Sequence, residues 1–80
     1  MIRLVRFPEV MKRRGKKRTS IYNDIKEGTF PPGVDLGGGR AKGWGDHEVD
    51  AVNSAILAGK SRDDLQELVR GLIAARKAGA

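Results

Sequence analysis

Between Thr29 and Trp44 this chain cannot be helical. Pro31 and Pro32 lack the amide hydrogen that a helix needs, and Gly33, Gly37, Gly38, Gly39 and Gly43 add backbone freedom that a helix would have to freeze. Helical periodicity stands on both sides, so the chain reads as two helical parts joined through a non-helical centre. Within that centre, Val34/Leu36 and Ala41/Trp44 suit two short strands around the Gly37-Gly38-Gly39 tip, forming a hairpin or wing. The whole has 80 residues, enough for one small domain with a thin core.

Upstream of the centre, Met1–Phe7 is a short apolar-rich lead-in of extended character. Pro8 fits a first helical position, Glu9 favours the positive helix start, and Gly15 is a stop, which gives a helix near Pro8–Arg14. The basic turn Gly15-Lys16-Lys17 leads into Arg18–Glu27, closed by Gly28. Ile21 and Ile25 stand four apart and share one face of that second helix. Two short helices around a glycine-containing turn make a helix-turn-helix pattern.

Downstream, Asp46 suits an N-cap, with Glu48 and Asp50 complementing the helix dipole. Val49, Val52, Ala55 and Ile56 carry a third helix to about Ala58, where Gly59-Lys60 breaks it. Ser61 and Asp64 then resemble a capping pair, and Leu65, Leu68, Val69, Leu72 and Ile73 form the cleanest amphipathic stripe in the chain. That last helix runs to near Lys77. Its stripe has two uses, packing back on the domain or pairing with a second copy of the chain, and so small a core favours some self-association. The fold expected is mainly α: a small winged helix-turn-helix over residues 1–58, with a short β-hairpin wing, and a C-terminal amphipathic helix over 59–80 that is not a separate domain.

Charge separates the two halves. Residues 1–45 carry eleven Lys/Arg against four acidic groups, a net +7, whereas residues 46–80 are net −1. A one-sided excess is what a polyanion-binding surface requires. Lys12, Arg13, Arg14, Lys16 and Lys17 crowd the turn between the first two helices, where a DNA backbone would pass, and Lys26 adds to them as a phosphate-contact candidate. On the second helix, Arg18 can fork onto guanine, Asn23 can pair with adenine, and the Thr19 methyl can touch thymine. Ser20 and Tyr22 suit base edges or phosphates. Arg40 and Lys42 flank the wing tip and can reach an adjacent groove. Trp44 reads as a core anchor closing the hairpin onto the helices.

Catalytic readings find little support. His47 is the single histidine and sits in the first turn of a helix beside acidic neighbours, as a surface residue would. Gly59-Lys60-Ser61 imitates the end of a phosphate-binding loop, but Ser54 stands where that loop needs its first glycine. The absence of cysteine excludes disulfides, thiolate catalysis and the common zinc sites. The expectation is a cytoplasmic, nucleoid-associated protein without enzymatic activity, cofactor, metal, small-molecule ligand or membrane partner, whose partner is double-stranded DNA.

The ordered string Ile21-Tyr22, Ile25-Lys26-Glu27-Gly28-Thr29-Phe30-Pro31, Gly43-Trp44 and Glu48-Val49-Asp50-Ala51 resembles the AlpA family of prophage regulators over about Leu4–Ala58. That family is related to the excisionases and to the winged-helix headpiece of MerR-type regulators. The resemblance implies a DNA-binder that regulates integrase expression or assists excision of an integrated element. By family position it makes Arg18, Thr19, Ser20, Tyr22 and Asn23 groove-facing and Gly37–Lys42 the wing. Lys16 and Lys17 depart from the family pattern, which has an apolar residue and then a serine there. The expected N-cap is thereby lost, at a cost of about 1 kcal/mol. A looser turn, or a second helix that starts differently, is the expected result. An architectural DNA-bending protein and a protein–protein adaptor remain the competing readings.

Overall fold

The computed structural model describes residues 3–37 and 41–78. In chain order these form β1 (Leu4–Arg6), α1 (Phe7–Arg14), α2 (Arg18–Glu27), β2 (Val34–Asp35), β3 (Lys42–Gly45), α3 (Asp46–Leu57) and α4 (Arg62–Ala78). The three strands make one antiparallel sheet in the order β1-β3-β2, and the arrangement is that of a small winged helix-turn-helix. Of the lead-in expected only to be extended, Phe7 already begins α1, while Leu4–Arg6 is thus a true edge strand. Its pairing sets Val5 opposite Trp44, and since residues directly opposite share a face of the sheet, both turn inward.

The first two helices end at the glycines their punctuation suggests and α2 starts at Arg18, but α1 starts at Phe7, one residue ahead of the expected Pro8. Gly15 ends α1 at φ 64°, the left-handed region that glycine enters at least cost. There its amide donates to the Lys12 carbonyl and that of Lys16 to the Met11 carbonyl, the paired closure of a Schellman turn. The same bonding closes α2, from Gly28 to Ile25 and from Thr29 to Asp24. The α3 start differs by one residue. Gly45, not Asp46, is the N-cap, because the Glu48 carboxylate folds back to accept the Gly45 N–H at 3.0 Å. Asp46 instead accepts from the backbone N–H of Arg3 at 3.4 Å, tying β1 to the helix start.

The core consists of Val5, Val10, Ile21, Phe30, Trp44, Val49, Val52 and Val69, so every helix and the strands β1 and β3 contribute to it. The stripe on α4 packs back onto this core. Val69 is buried, and Leu68, Leu72 and Ile73 pack against the same core, with Leu65 half-buried beside them. The Ser61 hydroxyl accepts the Asp64 N–H and the Asp64 carboxylate accepts the Ser61 N–H, at 3.2 and 3.4 Å, so the expected capping pair starts this helix. From α4, Gln66 also donates to the terminal Glu27 carbonyl of α2 at 2.8 Å.

A buried ion pair bolts α4 to α3. Glu48 is only 2% exposed, and Arg76 grips it with two bonds, Nε to Oε2 at 2.7 Å and Nη2 to Oε1 at 2.8 Å. Burial opposes ionisation of Glu48, but the hydrogen bonds from Arg76 and from the Gly45 N–H outweigh it and leave the carboxyl below its ordinary value. A depressed carboxyl pKa stabilises the fold at neutral pH, and that contribution is lost as pH falls through and below the ordinary glutamate range. Acid unfolding should therefore include a component that disappears in Glu48→Gln. Arg76→Ala, which strands the carboxylate, should cost about 3 kcal/mol in urea denaturation. By contrast, a methyl group added at Gly71 within α4 meets nothing within 4 Å. Gly71→Ala should raise stability by about 1 kcal/mol, measured the same way.

Candidate nucleic-acid interface

Turning about 100° per residue, α2 sorts its side chains around the buried Ile21 and the half-buried Ile25. Thr19, Asn23 and Lys26 lie on the side away from them and are exposed. Arg18 and Tyr22, one turn apart, occupy one flank, while Ser20 and Asp24 occupy the other and are half-buried. The five residues expected to face a groove therefore fall into an outward pair, a flanking pair and one partly enclosed serine. Tyr22 retains 52% exposure.

The flanking pair is organised by an aromatic side chain that sequence reasoning did not single out. Phe7, the first residue of α1, lies with its ring centroid 5.2 Å from that of Tyr22 and 4.9 Å from the Arg18 guanidinium carbon. On its other side it meets Trp44 edge-on at 5.4 Å. An aromatic residue just before a helix-starting proline was the available signal, but its partners lie far along the chain.

The basic cluster divides in two. Arg14 turns inward, its side chain only 4% exposed, and donates to Asp24 at 3.0 Å and to Asn53 at 2.9 Å. Its guanidinium carbon lies 5.2 Å from the Phe30 ring centroid. Lys16 reaches the same Asp24 oxygen at 2.7 Å, and Arg13 pairs with Glu9 at 3.0 Å and more loosely with Asp50 at 3.9 Å. Three of the six expected phosphate contacts thus have carboxylate partners within the chain, whereas Lys12, Lys17 and Lys26 are exposed and without an ion-pair partner among the described residues. Asn53 completes the node by donating to the Arg13 carbonyl, one of the unpaired acceptors at the end of α1, at 3.1 Å.

This node explains how the atypical turn holds. Lys17 is the N-cap of α2 and supplies no side-chain bond, as its chemistry dictates. Even so, α2 starts at Arg18, where the sequence placed it. The Schellman closure at Gly15 and the Arg14–Asp24–Lys16 cluster fix the turn from both sides, so the missing cap does not loosen it.

The β2–β3 hairpin stands in the wing position. Val34 pairs with Gly43 and Asp35 with Lys42, and the Lys42 ammonium bonds the Asp35 carboxylate at 2.7 Å. Gly37 lies at φ 92°, where the chain turns away from β2. The expected wing residues Gly38, Gly39 and Arg40 lie outside the described residues. Among the described residues, no helix is long and apolar enough to cross a membrane, and no group of three or more His, Asp or Glu is placed to hold a metal ion.

Residues 3–51 match the family model described as Prophage CP4-57 regulatory protein (AlpA). The chain belongs to the AlpA family. The match begins at the N-terminal edge strand and ends within α3, so it spans the helix-turn-helix and the hairpin. A second likeness is to a protein of Enterobacteria phage P4, the uncharacterized protein ORF88, which is 43% identical over 60 residues, covering 75% of this chain and 67% of that protein. No solved structure matches. AlpA is a family of phage regulators, and of the site residues above all but Asn53 lie in the matched part of this AlpA-family chain.

Arg14 and the exposed cations should separate cleanly by stability. Arg14→Ala should cost about 3 kcal/mol in urea denaturation, because it leaves Asp24 and Asn53 short of partners in a mostly enclosed site. Lys12→Ala and Lys17→Ala should each stay within about 0.5 kcal/mol of the parent.

Proposed function

We propose that this chain is a sequence-specific, double-stranded DNA-binding transcriptional regulator of a phage or mobile element, with integrase expression as its target. It places α2 in the major groove, and it acts by occupying a site rather than by catalysis. The observation that carries this reading is the surface of α2. Thr19, Asn23 and Lys26 face outward from it, Arg18 and Tyr22 stand at its flank, and the exposed Lys12 and Lys17 border the turn that leads into it. Short polar and forked basic groups near a helix start are what base edges require, and the bordering cations suit the phosphates on either side. The net +7 of residues 1–45 puts attraction for a polyanion in the same half of the chain. Arg14 serves this function indirectly, by holding α1 and α2 at their mutual angle.

A short duplex library titrated at two salt concentrations tests the reading. A ranking of sequences that survives the higher salt supports it. Arg18→Ala should relax preference at one base position, at a cost of about 1–3 kcal/mol there. Lys17→Ala should weaken all sequences alike and lower the slope of log K against log salt by about one. Affinity that collapses uniformly with no ranking would favour an architectural DNA-binder instead, and absence of binding at low salt would defeat both.

A further inference from the structure

The ring of Phe7 joins two parts of the molecule with different tasks. One edge of it meets Trp44, which is 2% exposed and anchored by its indole N–H to the Pro31 carbonyl at 2.8 Å. Its other contacts are with Tyr22 and Arg18, the flanking pair of α2. Arg18 has no ion-pair partner among the described residues, although the carboxylates of Asp24 and Glu27 are carried on the same helix. Its organised contact is the aromatic ring. A guanidinium held against a ring by cation–π attraction keeps the donors at its rim available, so the contact orients the group without consuming its hydrogen-bonding capacity.

Resting on the DNA-binding reading above, we propose that Phe7 is a specificity-determining positioning residue. It pre-orients Arg18 and Tyr22 so that the Arg18 fork meets a guanine edge already in place. Trp44 is the fixed base of this ladder and Phe7 its middle rung. Order in the core is thereby passed to two side chains at the surface. A bidentate contact gains from such preorganisation because less side-chain freedom remains to be lost on binding. Phe7 itself touches no base in this arrangement; it acts through Arg18.

The stacking and its consequence can be read separately. In the free protein, the Arg18 side-chain protons should show ring-current shifts in NMR spectra that vanish in Phe7→Leu and persist in Phe7→Tyr. In duplex titrations, Phe7→Leu should reduce discrimination by about 2- to 5-fold at the same base position that Arg18→Ala affects, with no change in the salt slope. Phe7→Tyr should restore it. In an Arg18→Ala background, Phe7→Leu should change discrimination there no further. Should Phe7→Leu prove poorly folded by urea titration, Phe7→Met supplies a second ring-free variant for the same comparison. The inference is overturned if the ring-free variants weaken every sequence equally, or act the same with and without Arg18, for Phe7 is then only a packing residue. A parent protein that ranks sequences while Phe7→Leu keeps its full discrimination also overturns it, and leaves the DNA-binding reading standing. A parent that ranks none overturns both.

Discussion

Trp44 sits on the central strand of a three-stranded sheet, and the rest of the fold is arranged around its enclosure. Val5 on the edge strand faces it across the ladder, Phe7 meets it edge-on, and Phe30 lies at 6.2 Å between ring centroids. Its single polar atom is satisfied by the Pro31 carbonyl, so the whole side chain can be withdrawn from water without an orphaned donor. Gly33 keeps the path open, since a methyl group there would lie 3.0 Å from the indole ring. In a chain with so little core, one aromatic residue in contact with the edge strand, the start of α1 and the loop after α2 supplies a disproportionate share of the burial.

What could be read from the sequence is what local chemistry decides. The helices of the helix-turn-helix end where Gly15 and Gly28 put them, α1 starts one residue ahead of Pro8, and the Ser61–Asp64 cap forms as its spacing suggests. Each depends on partners within a few residues. The features that escaped depend on distant ones. Leu4–Arg6 becomes a strand only because Gly43–Gly45 arrives beside it, nearly forty residues later. Arg14 looked like a member of a solvent-facing run, and nothing nearby reveals that Asp24 and Asn53 converge on it. Glu48 made sense as a response to a helix dipole, and nothing near it in sequence pointed to Arg76. Only the packing of α4 across α3 shows that they neutralise each other. The stripe on α4 was legible as an apolar face, but its destination was not, because a stripe records what must be buried and not against what.

The candidate interface is therefore narrower than its composition. Charge counting treats every lysine and arginine near the turn alike, whereas the structure divides them between scaffold and surface. Asp24 is the divider. By drawing Arg14 and Lys16 to itself, it converts part of a basic run into the joint between two helices, and the electrostatic field left to the outside is carried by fewer groups. Such a division links the exposed surface to folding, since the joint fixes how α2 is held against α1.

The Glu48–Arg76 pair has a consequence for how chains of this kind can change over generations. Its two ends are unequally sheltered, with 2% of the glutamate side chain exposed but 22% of the arginine. A lineage that neutralises position 48 first leaves behind an arginine with a route to water, and can afterwards drift freely at position 76. A lineage that loses the arginine first, by substitution or by shortening of its last helix, must carry a stranded buried charge until the second change occurs. The order of the two events is thus constrained even where both end points are stable. The matched segment ends at residue 51, so of the two partners Glu48 lies within it and Arg76 beyond it.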